Sequence, residues 1–130
     1  MDVMPMDLGV CGVEQLFYAG KVKFNDTGIS TGKVLYEVPA GMIVTRAVAV
    51  VTTAFDAGTT NVLTIGGNDD ANDILGTSDI TEGTAGTYSK QTFVKYTEKT
   101  KIKAKYTQTG TDATAGAADI YLFVVRIPPA

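Results

Sequence analysis

Hydrophobic positions in this chain recur at every second residue or in short unbroken runs, and no long stretch keeps them at i, i+3, i+4 and i+7. Period two is the strand period, so the pattern predicts β-structure and no helix. Val, Ile, Thr, Tyr and Phe fill the runs, and Gly, Asn, Asp and Pro separate them. Strands are predicted over 15–24, bent at Gly20, over 33–38, 42–53 and 61–66, in a short piece at 74–76, and over 90–97, 99–106 and 120–127. Pro39, which cannot donate to a ladder, ends the second of these. The longest and most apolar run, "MIVTRAVAVVTT" (42–53), is predicted to be central and covered on both faces, with Arg46 reaching an edge or a carboxylate. "KQTFVKYT" (90–97) alternates, with Thr92, Val94 and Tyr96 opposite Phe93 and Lys95. The closing run "IYLFVVRI" (120–127) is continuously apolar, like a strand inside a two-layer core. The stretches 25–32, 54–60, 67–73, 77–89 and 107–119 read as turns and loops.

Short strands with regular turn signals and no helix predict an all-β fold: a single-domain antiparallel β-sandwich spanning 1–130. With no Trp and no Cys…Trp…Cys framework, a jelly roll is favoured over an immunoglobulin-like sandwich. Residues 1–13 read as an N-terminal arm, a tail or an extra strand, with Val3, Met4, Met6, Leu8 and Val10 as its apolar positions.

Composition changes this picture in two ways. The chain is 45% hydrophobic but only 19% charged, which suggests that some partner covers part of its surface. Its net charge of −3 opposes nonspecific nucleic-acid binding, which relies on a basic excess to neutralise phosphates. The single cysteine, Cys11, permits no internal disulfide and reads as a buried structural thiol. "MDVMPMDLG" lacks the basic region of a signal peptide, and the longest apolar run, "AVAVV" (47–51), is too short to cross a membrane. The expected location is a cytoplasm, or an assembly built there.

The residue types present exclude most catalytic chemistry. Histidine is absent, which removes the commonest general base and metal ligand and every Ser–His or Cys–His nucleophile. "NDDAND" (68–73) offers a cluster of oxygen ligands that calcium favours, but it fails the EF-hand pattern, and a solvated hairpin turn is the favoured reading. No residues single out a pair of catalytic carboxylates, and no phosphate-binding loop is present. The expectation is a protein without catalytic residues, metal or cofactor.

One feature asks for a partner. "KTKIKAKYT" (99–107) places Lys99, Lys101, Lys103 and Lys105 at strand period, so their ammonium groups are predicted to leave one sheet face. That face could be a solvated surface that discourages edge-to-edge aggregation, a docking face for an acidic protein, or a nucleic-acid track. The last is disfavoured by the acidic whole and by Tyr106, whose parity points it the other way.

"YEVPAGMIVTRAVAVVTTAFDAGTTNVLTIGGNDDANDIL" (36–75) and "DIYLFVVRI" (119–127) resemble small β-sandwich virion proteins of tailed bacteriophages and prophages, most like capsid decoration or cement proteins. The resemblance implies a sandwich that binds the outer surface of an assembled shell as a dimer or trimer, with the major capsid protein as partner. It supplies no catalytic residues. The lysine row and the apolar arm are then the candidate contacts. The alternative is a receptor- or carbohydrate-binding module at a tail or fibre, working through loops 77–89 and 107–119.

Overall fold

The computed structural model describes residues 14–126. Seven strands form in this span: β1 Gln15–Lys23, β2 Lys33–Val38, β3 Met42–Thr53, β4 Thr60–Gly66, β5 Gly86–Tyr96, β6 Thr100–Thr109 and β7 Ala117–Arg126. They make a four-stranded sheet, β1-β7-β3-β5, and a three-stranded sheet, β2-β6-β4, and every pairing is antiparallel. The predicted all-β sandwich is therefore present, with no helix among the described residues.

Strands consecutive in sequence never pair. Each connection carries the chain from one sheet to the other, so all six loops or turns lie at the ends of the sandwich or along its side. This alternation is compatible with a jelly roll, whose eight strands form two sheets. The piece predicted at 74–76 shrinks to one antiparallel bridge, Leu75 with Ile65, on the free edge of β4. There it occupies the place of an eighth strand and leaves Ile74 and Leu75 fully buried.

The core lies between the sheets and follows strand parity. Met42, Val44, Ala47, Ala49 and Val51 of β3 and Ile120, Leu122 and Val124 of β7 point inward, against Leu63 and Ile65 of β4 and Ile102, Ala104 and Tyr106 of β6. In β5, Val94 and Tyr96 face inward and Phe93 and Lys95 outward, as the alternation predicts. Loop residues complete the core, among them Ile29, Phe55, Ile74, Leu75 and Ile80. Phe55, from the segment after β3, is buried and packs on Tyr106 with ring centroids 4.8 Å apart. Gly116 lies against that ring: a Cβ there would stand 2.4 Å from Phe55 Cδ2, and its φ is +148°. Only glycine meets both demands.

The predicted boundaries shift in three places. β5 begins at Gly86, inside the expected loop 77–89, and loop 107–119 contracts to 110–116 between β6 and β7. Lys99 falls outside β6, in the turn before it. The arm residues Val3, Met4, Met6, Leu8 and Val10, together with Cys11, lie outside the described residues.

Candidate functional site

Of the eleven Lys and Arg residues, only Lys99 lies off a strand. Among the described acids, only Glu37 and Asp119 lie on strands. The negative net charge is therefore carried by the loops, and both sheets are locally cationic. This resolves the conflict between a lysine row and an acidic chain.

On β6, Ile102, Ala104 and Tyr106 are buried, so Lys101, Lys103 and Lys105 leave the outer face of the three-stranded sheet. They do not form a uniform row. Lys101 is exposed and sits across from Glu37 of β2. Lys103 is half-buried, and its stem runs over Gly32, where a Cβ would come within 3.3 Å of its Cδ. Lys105 is also half-buried and helps line a groove of about 200 Å³ with Val62, Thr64, Asp70 and Asn72.

That groove exists because the "NDDAND" segment folds over the outer face of β4. Gly66 allows this approach, since a Cβ there would lie 2.6 Å from the backbone nitrogens of Asn72 and Asp73. The oxygen-rich loop is hydrogen-bonded to itself and to the sheet. Asn68 Oδ1 accepts from the Asn72 amide at 2.8 Å, and Asn68 Nδ2 donates to Asn72 Oδ1 at 2.7 Å. Asp73 Oδ1 accepts from the Gly67 amide at 2.9 Å and from the Tyr96 hydroxyl at 3.0 Å. Burial, reinforced by the nearby Asp73 charge, pushes the Tyr96 hydroxyl well above its ordinary pKa, so it stays a proton donor. No cluster of three or more acidic, His or Cys side chains suited to a metal occurs among the described residues.

The opposite sheet presents a different surface. The apolar run of β3, predicted to be covered on both faces, and that of β7, read as a strand inside a two-layer core, are covered by the described residues on the inner face alone. Leu16 of β1, Phe123 of β7, Arg46 of β3 and Gln91 of β5 form one row across the outer face. Tyr18, Tyr121, Val48 and Ser89 form the next. Leu16 is 57% exposed, Tyr18 55% and Phe93 72%. The Tyr18 and Tyr121 rings lie 5.2 Å apart, and the Arg46 guanidinium lies 6.0 Å from the Phe123 ring centre. Arg46 thus reaches an aromatic face, not the edge or carboxylate expected of it. Two acids lie here: Glu14, just before β1, accepts from the Thr45 hydroxyl of β3, and Asp119 accepts from the Tyr18 hydroxyl at 2.8 Å and pairs with Lys21 at 3.4 Å. That hydrogen bond and the Asp119 charge raise the Tyr18 pKa.

This apolar face was not among the sequence candidates. Its signal was present in β3 and β7, whose runs are too apolar for half-covered strands, and in the outward parity of Phe93. Parity alone does not reveal that no second layer of described residues covers it.

Neither a family model nor a curated protein matches the sequence. Among solved structures, a chain in the capsid asymmetric unit of cyanophage Pam1 has a TM-score of 0.67 at 19% identity, over 98% of this chain and 94% of that one. A chain in the capsid of Ralstonia phage GP4 has a TM-score of 0.63 at 15% identity, over 99% and 92%. A chain in the acid-stable capsid of Helicobacter pylori bacteriophage KHP30 has a TM-score of 0.58 at 17% identity, over 92% and 97%. The fold is thus shared nearly end to end with chains of three phage capsid structures.

Proposed function

We propose that this chain is a structural component of a phage capsid: a decoration or cement protein that docks on the outer surface of the assembled shell and stabilises contacts between neighbouring major capsid subunits. One observation carries the reading: the whole-length likeness of this fold to chains in capsid structures. The physical character of the domain supports it. A two-layer sandwich is a rigid body, and cationic sheet faces suit contact with acidic protein surfaces. Weak contacts repeated across a lattice, or through a dimer or trimer of this chain, multiply into strong retention. The lysine row and the N-terminal arm are proposed contacts within this reading, with assembly on the shell in the bacterial cytoplasm.

Quantitative mass spectrometry of density-purified particles tests it. The expected result is a copy number within about threefold of the major capsid protein, as lattice-wide occupancy requires. A dozen copies or fewer would move the chain to a tail or vertex, and absence from particles would overturn the reading. If the lysines bind an acidic shell surface, Lys→Ser at positions 101, 103 and 105 weakens retention and flattens its salt dependence. Unchanged retention would leave them as a solvated face.

A further inference from the structure

We propose that the outer face of the four-stranded sheet is the principal docking surface of this chain, and that it receives an apolar protein surface rimmed with carboxylates; the inference rests on the capsid reading above. Leu16, Tyr18, Val48, Tyr121 and Phe123 make an apolar and aromatic field in two adjacent rows of this face, and Phe93 stands 72% exposed on β5, beyond Arg46 and Gln91. Isolated exposed apolar side chains are ordinary on a protein surface. A contiguous aromatic field on the flat of a sheet marks an interaction site. The sequence gives the same indication: β3 and β7 carry the near-unbroken apolar runs of strands covered on both sides, yet the described residues cover them on one.

Charge identifies the occupant. Four cations, Lys21, Lys23, Arg46 and Lys95, lie on or beside the field against two acids: Asp119 is engaged by Lys21 and Tyr18, and Glu14 by the Thr45 hydroxyl. A second copy placed face to face would bring together two surfaces that each carry an excess of cations, which costs free energy wherever they are desolvated. A partner with an apolar centre and an acidic rim satisfies both parts of the surface. Arg46 is suited to the boundary between them, because its guanidinium can donate to carboxylates while its face rests near Phe123. With this face on one subunit, the opposite lysine face remains free to meet a neighbour, which is the geometry a clamp requires.

The test uses the full chain and shells from particles made without it. Cosedimentation is measured for the wild type, for Leu16→Ser/Phe93→Ser, for Arg46→Glu/Lys95→Glu, and for Lys101→Ser/Lys103→Ser/Lys105→Ser. Melting temperature confirms that each variant folds; the substituted side chains of the first two are solvent-exposed, so their folds should persist. Both four-stranded-face variants are expected to bind roughly tenfold more weakly or worse, as loss of central aromatic and Arg contacts does at protein interfaces. The charge reversal should also flatten the salt dependence. Wild-type affinity in both, with loss only in the lysine variant, overturns the inference and leaves the capsid reading intact. So does shell binding that depends on residues 1–13 and not on this face. A dimer in sedimentation that Phe93→Ser dissolves would assign the face to a second copy and overturn it equally. If the wild type itself does not bind shells, the capsid reading falls and the inference with it.

Discussion

Tyr96→Phe isolates the bond that holds the acidic loop onto the sandwich. Tyr96 is 8% exposed at the end of β5, and its hydroxyl lies 3.0 and 3.1 Å from the two Asp73 carboxylate oxygens. Asp73 is half-buried and takes its other protein donor from the Gly67 amide. Removing the hydroxyl leaves a carboxylate beside an apolar ring with one of these donors gone. A hydrogen bond to a charged partner contributes about 1.5–3 kcal/mol, and incomplete solvation of Asp73 prevents water from replacing it fully. For a domain of this size that lowers Tm by roughly 5–12 °C. Asp73→Ala should cost at least as much, because it strips a partner from both the buried hydroxyl and the Gly67 amide. In the double variant the two losses overlap, so a double-mutant cycle by urea denaturation should give a coupling of about 1–2 kcal/mol. Tyr96→Phe costing less than about 0.5 kcal/mol, or a strictly additive cycle, would show that the loop is not held through this pair.

Three further outcomes follow from the same geometry. Because the side chains of Asn68, Asn72 and Asp73 are engaged within the loop and with Tyr96, millimolar calcium should leave Tm unchanged; a rise that depends on Asp70 would point to a metal site in the loop. Gly116→Ala, with a Cβ driven into the Phe55 ring at φ +148°, should destabilise the domain by more than about 3 kcal/mol in the same urea assay, and a near-neutral result would mean the ring has room to move. Stability should respond to pH with two opposite signs. Backbone and hydroxyl bonds from Thr114 and the Ala115 amide hold Asp56 below 3.8. Partial burial works against Asp26 and Asp79, yet Lys33 and the Lys23 amide lower the first, and the Gly76 amide and Lys90 lower the second. What these three contribute is present above 3.8 and is lost as pH falls through their folded values. Glu82 is the reverse case: burial raises it above 4.5 despite the Leu63 amide it accepts, so acidification from neutrality toward 4.5 relieves a penalty and adds stability. Chemical denaturation across pH should show a shallow rise on the way down to about 4.5 and a fall below 3.8. Glu82→Gln should remove the rise and keep the fall, and parallel curves for the two proteins would contradict the assignment.

The strands were legible in the sequence because alternation is a local property: each residue's parity follows from its neighbours along the chain. β2 and β3 appear with their predicted boundaries, and the inward positions of β5 and β6 follow from the pattern alone. The absence of histidine, a fact of composition, by itself removes the His-dependent catalytic designs. What the sequence could not decide is what each face meets, since that depends on residues far away in the chain. Phe55 sits in a stretch that reads as a loop and becomes core only because Tyr106 and Gly116 arrive beside it. Lys103 and Lys105 read as free ammonium groups until Gly32 and the folded-over loop 67–77 half-cover them. The apolar runs of β3 and β7 recorded a demand for cover on two sides. The tertiary structure supplies the inner side, because the described residues form only two layers, and none of them forms a layer over the outer side of the four-stranded sheet.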